Sequence, residues 1–134
     1  MSHKKNILKI ISLCFMCFIL AMGLVINEMN DNAIMAAEST LIIHYSREDK
    51  EYDGWNLWIW RDGESGEQVD FTEEDKYGEI AIYKTKSPEK IGFIVRRNQW
   101  DEKDIESDRF VEVKKGVTEI WIASGKEEVW TEHN

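Results

Sequence analysis

Tyr52-Asp53-Gly54-Trp55-Asn56-Leu57-Trp58-Ile59-Trp60 is the stretch on which the reading of the chain turns. Three of the six tryptophans fall within six residues of it. Side chains on a strand point to opposite faces in turn, so Trp55, Leu57 and Ile59 share one face and Asn56, Trp58 and Trp60 the other. The first set is apolar enough to form a core face. The second is an unusual solvent face, with two large flat rings beside an amide. The alternation therefore predicts that Trp55, Leu57 and Ile59 hold the fold while Trp58 and Trp60 meet a ligand. A purely structural role for that pair would require both faces of one strand to be buried, and exposed aromatic patches are uncommon and usually functional.

Working outward, the rest of the exported chain also reads as β-structure. Leu41–Tyr45 is a short strand before the charged turn 46–51, and the tryptophan strand covers 55–61. A Gly/Glu/Ser loop at 62–68 leads into a brief strand at 69–71 and an acidic turn to Gly78. Glu79–Tyr83 alternates, Pro88 marks the next turn, and Ile91–Val95 runs on into Arg96 and Arg97. Residues 98–108 form a polar loop with one aromatic, Trp100. Arg109–Val113, Val117–Ile122 and Glu127–Thr131 are expected as three closing strands, with turns at Lys115-Gly116 and Ser124-Gly125. Seven or eight short strands at regular spacing predict an all-β sandwich.

The first segment stands apart. A basic start with Lys4, Lys5 and Lys9 is followed by seventeen residues without a charge, Ile10 to Ile26. That is the order of a secretory leader, so residues 1–37 are expected to be a signal peptide and short linker and 38–134 the exported module. An uncleaved N-terminal membrane anchor is the alternative, since seventeen residues approach the length that spans a bilayer. Both cysteines, Cys14 and Cys17, lie in this leader. The exported part is thereby expected to have no disulfide, no thiol nucleophile and no cysteine metal site. From Glu38 onward it carries 14 basic and 24 acidic residues, a net charge of −10. Such a surface repels nucleic acid and anionic membranes and suits a neutral ligand. No cofactor, metal or catalytic residue is expected: His44 and His133 have no metal-ligand spacing, and neither a nucleophile elbow nor a phosphate-binding glycine loop is present. Trp55 and Trp121 are read as structural, and His44 as a satisfied strand residue.

Two indoles at i and i+2 are about 7 Å apart along a strand, the arrangement of a ledge beneath successive pyranose rings. One pyranose face presents C–H groups that leave water readily, and the indole supplies flat area and a negative π face. Polar groups at the margin then discriminate hydroxyl patterns; the 98–108 loop offers Lys103 and Asp108, with Trp100 and Asn98 nearby and Asn56 on the ledge strand itself.

Leu41–Tyr45, Tyr52–Trp60, Asp70–Thr72, Tyr77-Gly78, Gly92–Arg96, Asn98 with Trp100, Lys103-Asp104, Asp108–Phe110 and Glu119–Trp121 together resemble the family 41 carbohydrate-binding module, the N-terminal domain associated with bacterial pullulanases. The resemblance runs from about Thr40 to Thr131. It implies an immunoglobulin-like antiparallel β-sandwich that binds α-glucans such as pullulan, amylopectin, maltooligosaccharides and glycogen. It also implies that Trp58 and Trp60 stack on glucose rings while Lys103 and Asp108 hydrogen-bond sugar hydroxyls. Because such modules normally precede a large hydrolase, a free-standing secreted, monomeric binder or the remnant of a pullulanase is expected. The rival expectation is a protein-interaction module that docks a secreted partner through its tryptophan patch.

Overall fold

A computed structural model of the protein describes residues 38–86 and 89–134; the expected leader and the Pro88 turn lie outside the described residues. Nine strands form two sheets, and no helix occurs among the described residues. In chain order they are β1 (Glu38–Ser46), β2 (Trp55–Arg61), β3 (Glu67–Val69), β4 (Glu73–Glu74), β5 (Glu79–Lys86), β6 (Glu89–Arg97), β7 (Glu102–Lys103), β8 (Arg109–Val113) and β9 (Val117–Ala123). The first sheet has the order β4-β5-β1-β9. The second runs β3-β2-β6, with β7 and β8 both paired to the far edge of β6.

Period-2 patterning builds the interior. Leu41, Ile43 and Tyr45 of β1, with Ala81 and Tyr83 of β5 and Ile120 and Ile122 of β9, face inward from one sheet. Trp55, Leu57 and Ile59 of β2 and Ile91, Phe93 and Val95 of β6 meet them from the other. Eight of these side chains, Leu41, Ile43, Leu57, Ile59, Ile91, Val95, Ile120 and Ile122, are wholly buried branched aliphatics, each stabilising the fold by about 1.5–3 kcal/mol relative to exposure. Arg47 caps the Trp55 end, its guanidinium 4.2 Å from the indole centroid.

The strand map departs from the sequence expectation in four places. Two-residue strands at β4 and β7 fall inside the turn and loop expected there, which brings the total to nine rather than seven or eight. The brief strand expected at 69–71 instead covers 67–69, taking in the end of the expected loop. The sheets are antiparallel except where β1 and β9 run parallel from Thr40↔Val117 to Ser46↔Ala123. The third closing strand expected at Glu127–Thr131 is a single bridge, Trp121↔Trp130, closed by two backbone hydrogen bonds of 2.9 and 3.0 Å. Only Val129 of that segment packs against the core, while Glu127 and Glu128 stay in solvent. One anchoring side chain orients a short bridge but supports no ladder.

The outer face of the first sheet carries an aromatic cluster around His44. This imidazole is buried and stacks on Trp121, with centroids 4.8 Å apart and planes 7° from parallel. Its Nε2 lies 2.6 Å from Glu119 Oε1, and its Nδ1 lies 3.0 Å from Asp75 Oδ2 but off the hydrogen-bonding line. Tyr77 meets His44 edge-on and donates its hydroxyl to the Ile122 carbonyl at 3.0 Å, while His133 packs on both Tyr77 and Trp121. His44 is thus satisfied only in part: Nε2 is paired with Glu119, while the buried Nδ1 has no hydrogen-bond partner, unlike the satisfied strand residue expected. Trp121 is structural, although it stands on an outer face and not in the core.

Candidate functional site: an aromatic ledge on the second sheet

The face assignment made for β2 holds. Trp55, Leu57 and Ile59 are buried inward, while Trp58 and Trp60 lie outward and stay partly open to solvent. Register dictates what surrounds them, because residues directly opposite across strands share a face. Asn56 faces Arg96, Trp58 faces Ile94 on one side and Gln68 on the other, and Trp60 faces Gly92. Beyond β6, Gly92 faces Phe110 of β8 and Arg96 faces Lys103 of β7.

Two glycines seat the rings. A Cβ added to Gly92 would collide with Cε2, Cζ2 and Nε1 of Trp60, and one added to Gly66 with Nε1, Cε2 and Cδ1 of Trp58. Each indole therefore lies close against bare backbone, which no other residue type permits, and stays partly open to solvent. Sequence reading missed this, although an isolated glycine inside the strand pattern at Gly92 is a signal of close approach.

Arg96 is the second feature the sequence reading passed over. It reads as the charged end of a strand, yet it is buried with its guanidinium carbon 4.6 Å from the ring centroids of both Trp58 and Trp100. Its Nε donates to Asn56 Oδ1 and its Nη2 to Gln68 Oε1, both at 2.9 Å. The planar cation ties the two rings together, at about 0.5–2 kcal/mol per cation–π contact. Trp100, 46% exposed, lies 5.7 Å from Trp58 at 62° between planes. It holds φ at 76°, an uncommon conformation for a bulky residue. Asn98, with φ 50°, and the donation from Asn98 N–H to the Gly54 carbonyl at 2.8 Å secure that turn.

The remaining expected residues surround the ledge unevenly. The Asn56 amide donates to the Gly54 and Asn98 carbonyls and accepts from Arg96, so it braces the turn. Asn98 donates to Asp101 Oδ2 at 2.7 Å. Lys103 stands in register beside Arg96, with Nζ donating to the Glu106 carbonyl at 3.1 Å. Asp108 is exposed and immediately precedes β8. Lys103 thus precedes the short loop 104–108 along the far edge of β6, and Asp108 ends it.

That loop is pinned by an ion pair sealed from solvent. Arg109 donates to Asp104 through Nη1 at 3.1 Å and Nη2 at 2.9 Å, and also to the carbonyls of Ala123 and Lys126. Burial pushes the Asp104 carboxyl above its ordinary value, against the pull of the guanidinium. On the other side of the ledge, Phe110 meets Trp60 at right angles, centroids 6.1 Å apart and planes at 89°, with Lys90 Nζ 4.8 Å above its ring. Among the described residues no group of His, Cys, Asp or Glu is placed to hold a metal ion.

The fold and this face define a small two-sheet β-sandwich bearing an open aromatic ledge rimmed by polar side chains. The chain belongs to the bacterial pullanase-associated domain family, whose model matches residues 39–131, the family to which its motifs point. Among solved structures it is similar to family 41 carbohydrate-binding modules from streptococcal virulence factors, described for alpha-glucan recognition, at 18% identity and a TM-score of 0.60, covering 69% of this chain and 47% of that one. It is similar also to the multi-modular glycogen-degrading pneumococcal virulence factor SpuA, at 24% identity and a TM-score of 0.58, covering 69% of this chain and 10% of that one. PulA from Klebsiella oxytoca matches at 19% identity and a TM-score of 0.54, with 72% of this chain and 11% of that one covered. The chain thus spans between about a tenth and just under half of these proteins. At such identities the likeness bears on the fold.

Proposed function

We propose that this protein is a secreted, non-catalytic binding module for α-glucans such as pullulan, amylopectin, maltooligosaccharides and glycogen. The observation that carries the reading is the pair of indoles Trp58 and Trp60, both on an outer sheet face, seated on glycine and partly open to solvent. Each offers a flat apolar area to the C–H face of a glucosyl unit, and Trp100 extends that area beyond Arg96. Lys103, in register beside Arg96, and Asp108, immediately before β8, are assigned the hydrogen-bonding role that fixes the sugar's orientation. Membership in the pullanase-associated family supports the ligand class, as does the alpha-glucan recognition described for the streptococcal modules of the same fold. The site is shallow, so affinity on the order of µM is expected from limited free energy per ligand atom.

Affinity electrophoresis of the protein through gels containing amylopectin, pullulan or a soluble β-glucan tests this. Retardation by the two α-glucans and free migration in the β-glucan gel are expected. Free migration in all three would overturn the reading, and capture of a secreted protein in place of any glucan would favour a protein-docking role.

A further inference from the structure

The ledge does not stop at Trp60. Phe110 stands perpendicular to it, 47% exposed, and also lines a groove of about 430 Å³. The groove lies along the seam where β8 of one sheet and β9 of the other approach without pairing. Phe110, Val117 and Val129 supply its apolar lining; Glu112, Thr118 and Thr131 bring carboxylate and hydroxyl groups to it. Val117 is 65% exposed, a high value for a valine lining a groove. Among the described residues, no ion pair engages Glu112.

We propose that this groove takes further glucosyl units of the same α-glucan chain whose first units stack on Trp58 and Trp60; the inference rests on the reading of the ledge as a glucan site. Three observations favour a sugar polymer as occupant. Phe110 is shared between the two, lining the groove and meeting Trp60 edge-on. Its lining mixes C–H surface with hydroxyl and carboxylate groups, as a pyranose mixes a C–H face with equatorial hydroxyls. With its ring plane at 89° to that of Trp60, Phe110 suits a chain that turns between stacked units over a flat ribbon, so it becomes a specificity-determining residue that selects for helical curvature.

The test compares a short and a long ligand by isothermal titration of the full chain with maltotriose and maltoheptaose. The wild type is expected to bind maltoheptaose roughly tenfold more tightly, on the scale of one added aromatic contact. Val117→Arg, which fills the groove from an exposed position remote from Trp58, should leave the maltotriose Kd within about twofold and remove most of the gain for maltoheptaose. Phe110→Ala, which also removes the edge contact to Trp60, should lower affinity for both ligands and abolish the gain for maltoheptaose, and thermal melts of both variants report on the fold. Equal affinity of the wild type for both ligands would overturn the groove and leave the ledge standing. So would Val117→Arg leaving both affinities unchanged or lowering both equally. Absence of binding to either ligand would remove the ledge and the groove together.

Discussion

The two outer faces of the sandwich both carry tryptophan, and they use it in opposite ways. On the first sheet the chain covers its own indole: His44 stacks beneath Trp121, His133 and Tyr77 close over the cluster, and Asp75 and Glu119 pinch the imidazole from both sides. On the second sheet Trp58 and Trp60 rest against Gly66 and Gly92, with the Arg96 guanidinium over Trp58 and Phe110 edge-on to Trp60, and both rings stay partly open to solvent. Aromatic content therefore does not distinguish the faces. What lies under and over each ring does. A ring capped by its own chain has spent its apolar area on folding, whereas one held flat against bare backbone keeps that area for a ligand.

The largest effect is expected where the two sheets are tied together at the site. Arg109→Leu leaves the Asp104 carboxylate buried without its partner and frees the carbonyls of Ala123 and Lys126. A loss of about 3–5 kcal/mol of stability follows, measurable by urea unfolding; a loss under 1 kcal/mol would show that the 104–108 loop does not depend on this pair. Next, Trp121→Ala should cost about 2–3 kcal/mol, less than a fully buried tryptophan, while retention on amylopectin stays unchanged. Loss of retention in a variant that still melts cooperatively would erase the contrast between the faces.

Smaller still, Gly92→Ala forces the Trp60 ring off its seat. Maltooligosaccharide affinity should fall roughly tenfold, equivalent to about 1.4 kcal/mol, with little change in melting temperature. Unaltered affinity would mean that the ring's attitude is not set by the glycine. The smallest effect concerns the covered face. Burial raises the Asp75 carboxyl pKa, but the N–H groups of Gly78 and Tyr77 and the His44 ring outweigh it, leaving the group below its ordinary 3.8. A depressed folded pKa contributes stability above the unfolded value that is lost as pH falls through the folded one. The melting-temperature gap between wild type and Asp75→Asn should therefore be present at neutral pH and close below about pH 4. A gap that widens in acid contradicts this pairing.

Much of this contrast was legible in the residues, because alternation along a strand is a local property. The inward set Trp55, Leu57, Ile59 and the outward pair Trp58, Trp60 follow from period 2 alone, and the motif resemblance points to the family the chain belongs to. What escaped was non-local. Arg96 looks like an ordinary charged strand end until register sets it opposite Asn56 and between two indoles. Phe110 belongs to the ledge only because β8 pairs with the part of β6 that carries Gly92. The Glu127–Thr131 segment has strand-like composition at Val129 and Trp130, but its neighbours are charged and its pairing ends after one bridge.

The central claim is that the open face, and not the covered one, holds an α-glucan. Titrating maltotriose into wild type, Trp58→Ala, Trp60→Ala and Trp121→Ala by calorimetry tests it most directly. Binding heat is expected for wild type and Trp121→Ala and none for Trp58→Ala or Trp60→Ala, with all four proteins folded. Binding that survives both ledge substitutions, or that disappears only with Trp121, would contradict it.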